Sequence, residues 1–558
     1  MMKAINSIYV TVIMTLAVFL SSCEDLSDIN KNPNNPEEVS ANYVLTYVLT
    51  NTGKVIFNLG RDGSRIGGAM QYMQQGTNTG APEVNQYDWS RESWESYYVI
   101  LRNNALVYES GVRDDNRFFQ AIALVMRSAI YGLLTDLYGD IPYSESLKAG
   151  TGAFFPKYDD QAEVYKGILT DLKEADNLLG SLAPKDAVNA SSDVMYKGDA
   201  SKWKKLANSL RLRYCMRLSE KKQDMNAAGI NIEAEFKEAS AGAFVSNADD
   251  AFINWIGTAR DNSAPGGPLN SANPNFALKP GKPFVDKLYS LNDPRLYRFV
   301  QPVQRKWDTK VTKETTVTVT NIFGESYPVV YVPASPASAD TSLYVGLPIG
   351  LPITALVVYN KGNDGTVYHA ERSPYISFLH DRYRKNTDAY APMNLMTYAE
   401  VEFILAEAAL NGGFGIADPA EHYKKGIRAA MTKVGVFEAA SFNFDNYYAQ
   451  TTVDYAKATN KLERIMEQKW LSSWFGIQSW FDWRRTGYPA LKAGVVAQYG
   501  DAIPVRFMYP SPNLDPSYVV NYNAAVEKLG TTPFIPSGQS KDHPYAKMWL
   551  LNGGSKPW

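Results

Sequence analysis

Cysteine and histidine are nearly missing from this chain, with 2 and 4 in 558 residues. His369, His380, His422 and His543 show no HExxH or CxxC spacing, so neither a metal site nor a cofactor is expected. Cys215, within SLRLRYCMRLS on a predicted helix, reads as a small buried apolar group. A disulfide between Cys23 and Cys215 is the other logical reading, but the leader described below argues against it. Net charge is also close to nothing. Lys+Arg 56 against Asp+Glu 58 leaves −2, which offers no basis for a nucleic-acid or anionic-membrane surface. No GxSxG, P-loop or dinucleotide fingerprint stands between a strand and a helix, which removes the commonest hydrolases and nucleotide enzymes. A surface glycosidase with two acids far apart in the chain leaves no such trace and stays open as the enzyme alternative, beside a pure interaction scaffold.

What the chain does have is apolar mass, 45% of residues, and many rings, 36 Tyr beside 11 Trp. The first is ample for a packed core; the second serves packing and binding surfaces equally well. Residues 8–20 are apolar apart from Thr11 and Thr15, too short a run to span a bilayer comfortably. The sequence Leu20, Ser21, Ser22, Cys23 follows and resembles a lipobox. Residues 1–22 are therefore read as a lipoprotein signal peptide and Cys23 as the acylated N-terminus, which anchors the mature protein to a membrane. Residues 23–36, rich in Asp, Asn and Pro, form a tether too polar to fold alone. Residues 37–558 are expected to be a single domain.

Three helix signals follow one another in residues 396–491. Thr397 stands three residues before Glu400, the reciprocal capping arrangement, and Tyr398, Val401, Leu405 and Ala408 repeat at helical spacing until Gly412 and Gly413. Asp418 as cap, Pro419 in the first turn and Glu421 open a second helix that Gly435 closes. Two amphipathic helices joined by so short a loop form an antiparallel hairpin like those of tetratricopeptide arrays, although the strict consensus of that repeat is missing. Asn460 and Glu463 start a third helix, which is expected to run on through Trp470, Trp474, Trp480 and Trp483 to Arg484 and Arg485. Helical spacing puts several of these tryptophans against the neighbouring hairpin, and the two arginines are expected to pair with carboxylates or carbonyls. Upstream, helices are predicted over residues 92–110 and 116–138, after a shorter one starting at Ser64, and Asp160 is read as the cap of another.

MTYAEVEFILAEAAL and EQKWLSSWFGIQSWFDWRRTGYPAL resemble the C-terminal half of SusD-like (SusD/RagB) nutrient-binding outer-membrane lipoproteins. Tyr138, Gly139, Asp140, Ile141, Pro142 and Tyr143 match a signature of the same family. Asp136 and Asp140, at that helix exit, are read as structural rather than as an acid/base pair. The resemblance implies a mainly α protein, a tetratricopeptide-like scaffold anchored on the outer membrane and facing the cell exterior. It further implies a SusC-like TonB-dependent β-barrel transporter as partner, and an oligosaccharide, or less often a peptide, passed on without catalysis.

Residues 240–380 break the helical pattern. Proline and glycine are frequent, one short helix is clear from Pro283, and TTVTVT from Thr315 alternates strictly before a turn at Gly324, which predicts a small β-hairpin. This loop-rich insert is the expected ligand-facing part, since recognition tends to sit on loops carried by rigid elements. Sugars need rings for their C–H faces and amides or charges for their hydroxyls. Tyr72, Tyr87, Trp89, Arg260, Asn262, Asn273, Trp307 and Tyr327 are the candidates of those types on predicted loops and helix ends.

Overall fold

The computed structural model describes residues 40–75, 86–256, 278–333, 338–361, 372–383, 392–512, 515–554, 556 and 558. The predicted signal peptide, the tether and Cys23 lie outside them. The scaffold is helical: α1 Ala41–Arg61, α2 Glu95–Arg113, α3 Arg117–Tyr138, α4 Gln161–Leu179, α5 Ala200–Arg217, α6 Tyr398–Asn411, α7 Pro419–Lys433, α8 Lys461–Ser472 and α9 Gln478–Thr486. Neighbours in sequence pack as hairpins, α2 on α3, α3 on α4 and α6 on α7, while α5 joins the two halves by packing against both α4 and α6. α3 is long and apolar enough to cross a bilayer, yet it is enclosed by its neighbours as a core helix.

Side-chain caps set several starts. Asn116 accepts from Phe119 N at 3.1 Å, Thr397 Oγ1 from Glu400 N at 3.2 Å, and Asn460 from Glu463 N at 3.1 Å. Only half of the expected capping box at Thr397 forms, because the Glu400 carboxylate is held bidentately by buried Arg213 at 2.7 and 2.8 Å. Asp418 sits before Pro419 in a left-handed conformation and makes no side-chain cap; Asp160 makes none either, its carboxylate going to Lys528. Ser64 starts no helix of its own: it hydrogen-bonds Asp62, and a single turn, Ile66–Ala69, follows. The continuous helix expected from Asn460 to Arg485 is broken at 473–477. There Phe475 takes φ +59° between Phe57 (rings 5.5 Å apart, 8° between planes) and Tyr383 (5.0 Å). α1 can reach this turn because Gly60 has no side chain: a Cβ there would lie 2.1 Å from the Phe475 carbonyl oxygen.

The insert is tied to the scaffold by short sheets. With β1 Met73–Gln75, β2 Ala251–Ile253, β3 Leu278–Pro280, β4 Arg305–Trp307, β5 Thr315–Thr320, β6 Ser326–Val332 and β7 Met393–Met396, the pairs are β1 with β3 and β2 with β7, both antiparallel. The predicted hairpin is present as β5–β6 with Thr320 opposite Ser326, and β4 adds to the other edge of β6 in parallel. The main core runs through the scaffold and the C-terminal tail, with two small clusters in the insert around Leu356 and Trp307.

Candidate functional site

A pocket of about 100 Å³ opens where scaffold and insert meet. The scaffold contributes the 473–477 turn, the end of β7 and the start of α6, and Lys433 at the end of α7; the insert contributes Arg298 and Phe299, and the residues just after it Arg382 and Tyr383. The rings here mostly cover one another. Trp474 lies nearly parallel to Phe284 and Phe299, at 4.9 and 5.1 Å.

Most charges around the pocket are spent internally. Glu400 is taken by Arg213, and Lys433 Nζ meets Asp250 at 3.0 Å. Arg298 donates to the Gly435 carbonyl at 2.9 Å, pairs with Glu438, and lies over Phe323 at 3.6 Å. Three residues of the lining nevertheless each carry a buried polar atom with no hydrogen-bond partner among the described residues: Trp474 Nε1, Arg298 Nε and Asn394 Oδ1. Two donors and an acceptor left over in one cavity suit a ligand carrying hydroxyls or amides, since buried polar groups are seldom left unsatisfied.

The hairpin tip reaches the same place. Glu325 faces Arg298 at 3.6 Å, His380 Nε2 at 3.2 Å and the Tyr327 hydroxyl at 3.3 Å. Burial pulls the Glu325 pKa upward, but His380, Asn321 and Arg298 outweigh it and hold the acid at about 2, against an ordinary 4.5. Burial, helped by Glu325, pushes the Tyr327 phenol up. Because the folded pKa of Glu325 is depressed, its stabilisation is complete above the unfolded value and disappears as pH falls through the folded one. The stability difference between the parent protein and Glu325→Gln should therefore shrink between about pH 5 and about pH 2. Thermal unfolding of both proteins across that window checks this; a constant difference would refute it.

Of the described residues singled out from sequence, Tyr327 comes near this pocket, half-buried and linked to Arg298 through Glu325, and Tyr72 meets the lining ring of Trp474 edge-on at 6.1 Å. Four others are interior packing residues, a correction to their reading as loop side chains held out to ligand. Tyr72 is fully buried against Trp470, with its hydroxyl on the Trp470 carbonyl at 2.7 Å. Tyr87, at φ +58°, is buried near Gly68, and Trp89 packs between Trp480 and Phe507. Trp307 stacks on Tyr375 at 4.6 Å and donates Nε1 to the Asn360 carbonyl at 2.9 Å. In each case the ring finds a large apolar contact, which accounts for its burial. Arg260, Asn262 and Asn273 lie outside the described residues.

Arg298, Asn394 and Trp474 carry the pocket and were not among the candidates. Trp474 lies in the 473–477 break rather than on a helix, and its ring packs on Phe284 and Phe299 of the insert, not on the α6–α7 hairpin that helical spacing suggested. Asp136 is structural as read: Tyr165 donates to it at 2.7 Å and Arg217 pairs with it at 2.6 Å. Asp140 accepts from Gln161 N at 2.9 Å, and burial raises its pKa. Among the described residues no group of three or more His, Cys, Asp or Glu is placed to hold a metal ion.

A family model described as "Starch-binding associating with outer membrane" matches residues 33–323 and 339–510. Among solved structures, a SusD homologue of Bacteroides fragilis is 26% identical with a TM-score of 0.68, covering 92% of this chain and 99% of its own. An outer membrane protein of Bacteroides vulgatus, described as involved in nutrient binding, is 25% identical with a TM-score of 0.70, covering 92% of this chain and 100% of its own. A chitin-binding protein at 24% identity and a TM-score of 0.66, covering 92% and 99%, shares the fold. No curated protein matches the sequence. With its family model matched over most of the chain, this protein belongs to the SusD-like family of nutrient-binding proteins associated with the outer membrane.

Proposed function

We propose that the protein is a noncatalytic, lipid-anchored glycan receptor that captures an oligosaccharide, or less often a peptide, at the cell exterior. It delivers the ligand to a SusC-like TonB-dependent β-barrel, with the helical scaffold toward the barrel and the insert toward the ligand. The observation that carries this reading is the junction pocket, whose leftover polar atoms on Arg298, Asn394 and Trp474 match a hydroxylated ligand in a chain of this family. Tyr327, with Arg260, Asn262 and Asn273 of the same insert, completes the proposed ligand-facing set. The nearest acids, Glu400 and Glu325, are each occupied by a cation or histidine, which favours binding over glycoside cleavage. Acylated Cys23 provides the anchor, so Cys23→Ala should move the protein out of the membrane fraction.

Calorimetry with a panel of oligosaccharides and peptides, followed by product analysis, tests the proposal. Binding heat without product is expected, and Asn394→Ala should weaken binding by roughly fivefold, the worth of one hydrogen bond. Steady release of shortened glycan would make the protein a hydrolase instead.

A further inference from the structure

The scaffold has a second cleft, separate from the junction pocket, between α2 and α3 and closed by the chain after α3. Its volume is about 460 Å³, within the roughly 300–1,000 Å³ range of small-molecule sites. At its base Asn104, only 2% exposed, donates its amide to the Ala123 carbonyl at 2.8 Å and so ties the two helices together. Asn104 is part of the cleft lining, and the other half of its amide, Oδ1, is buried and accepts no hydrogen bond from the described residues. An acceptor in that state costs about 1–3 kcal/mol unless something in the cleft donates to it.

The walls are aromatic and held in place. Tyr131 and Tyr143 meet edge to face at 4.7 Å, and the Tyr131 hydroxyl shares a hydrogen bond with Ser146 Oγ. Tyr143 is fixed against α4, where only a glycine fits: a Cβ on Gly167 would lie 2.0 Å from its hydroxyl oxygen. Its backbone N–H, with that of Ser144, donates to Asp159 at 3.1 and 2.7 Å. Tyr108 forms the opposite side, half-buried, with the Arg127 guanidinium 5.6 Å from its ring centre. A wall fixed before binding loses little freedom when a ligand arrives.

Charge selects the ligand class. Arg127 is spent on Asp171 through two 2.7 Å hydrogen bonds, so it does not offer the cleft a free cation. Glu109 and Lys148 at the rim are of opposite sign. We infer that this cleft binds one neutral, hydroxylated ring of the sugar class, a hydroxyl donating to Asn104 Oδ1 and the C–H faces lying against the tyrosines.

Saturation-transfer NMR on the purified protein, with the methyl glycosides of glucose, galactose, xylose and N-acetylglucosamine as probes, tests the assignment. At least one glycoside should receive transfer, and both Asn104→Leu and Ala105→Trp should weaken its binding about fivefold or more. Ala105 is half-buried on the lining, so a tryptophan there fills the cleft while leaving the Asn104 to Ala123 bond intact. That variant keeps the test decisive if Asn104→Leu fails to fold. Transfer from none of the four, transfer undiminished in Ala105→Trp, or a glycoside-soaked crystal with only water on Asn104 would overturn the inference.

Discussion

Glu407→Ala is expected to destabilise the protein by about 3–5 kcal/mol, measured as a lower denaturant midpoint. Glu407 is fully buried on α6 and Arg485, on α9, is nearly so. The carboxylate holds the guanidinium bidentately, one of the two bonds at 2.8 Å, with Asp482 a further 3.5 Å away. Burial alone would lower the Arg485 pKa, but Glu407 more than reverses that, and the side chain stays charged. Removing the acid strands a cation in a medium that solvates it poorly, so the cost exceeds the worth of the pair itself. The double variant Glu407→Leu with Arg485→Met removes both charges and should recover most of the loss. If the single variant unfolds at the parent midpoint, the pair contributes little and this account of the α6–α9 contact fails.

Trp470→Ala should cost a similar amount, about 3–5 kcal/mol, by a different route. This ring, 2% exposed on α8, stacks with Tyr72 at 5.7 Å and meets Phe284 edge-on at 5.3 Å. Its Nε1 donates to the Met70 carbonyl at 2.9 Å. Truncation leaves a cavity at the point where the 70–72 segment, α8 and the insert helix Lys282–Ser290 converge, and it strands a buried carbonyl. Trp470→Phe keeps most of the ring and should lose noticeably less. Urea unfolding of the two variants in parallel separates the outcomes, and equal losses would show that volume is not what the site needs.

Local chemistry carried much of the fold into the sequence. Thr397 and Asn460 cap the helices they were expected to start, and Asn116 caps the helix predicted from that position, because a side chain accepting from the third residue on is decided within one turn. The TTVTVT hairpin was legible for the same reason. The break at 473–477 was not, since Trp474 and Phe475 are ordinary helix residues and what bends them is contact with Phe57, Tyr383 and the side-chain-free Gly60. The parallel addition of β4 to β6 also depends on partners distant in the chain.

The site was legible only in kind. Composition showed that rings and amides were available, but a tyrosine or tryptophan has the same signature whether it fills a core or a pocket, and Tyr72, Trp89 and Trp307 fill cores. Arg298, Asn394 and Trp474 come from three separate stretches and meet only because β7 pairs with β2 beside the broken helix. Nothing local to any of them announces that meeting.

The pairing of β2 with β7 has an evolutionary consequence. It closes the stretch between residues 253 and 393, which holds most of the insert, by main-chain bonds, which are indifferent to side-chain identity. Lengthening a chain between fixed ends costs little entropy, about 0.6 kcal/mol for each doubling. Segments between the staples can therefore be exchanged, extended or shortened while the helical frame keeps its shape. A lineage meeting a new nutrient could rewrite its recognition loops without having to solve the folding problem again.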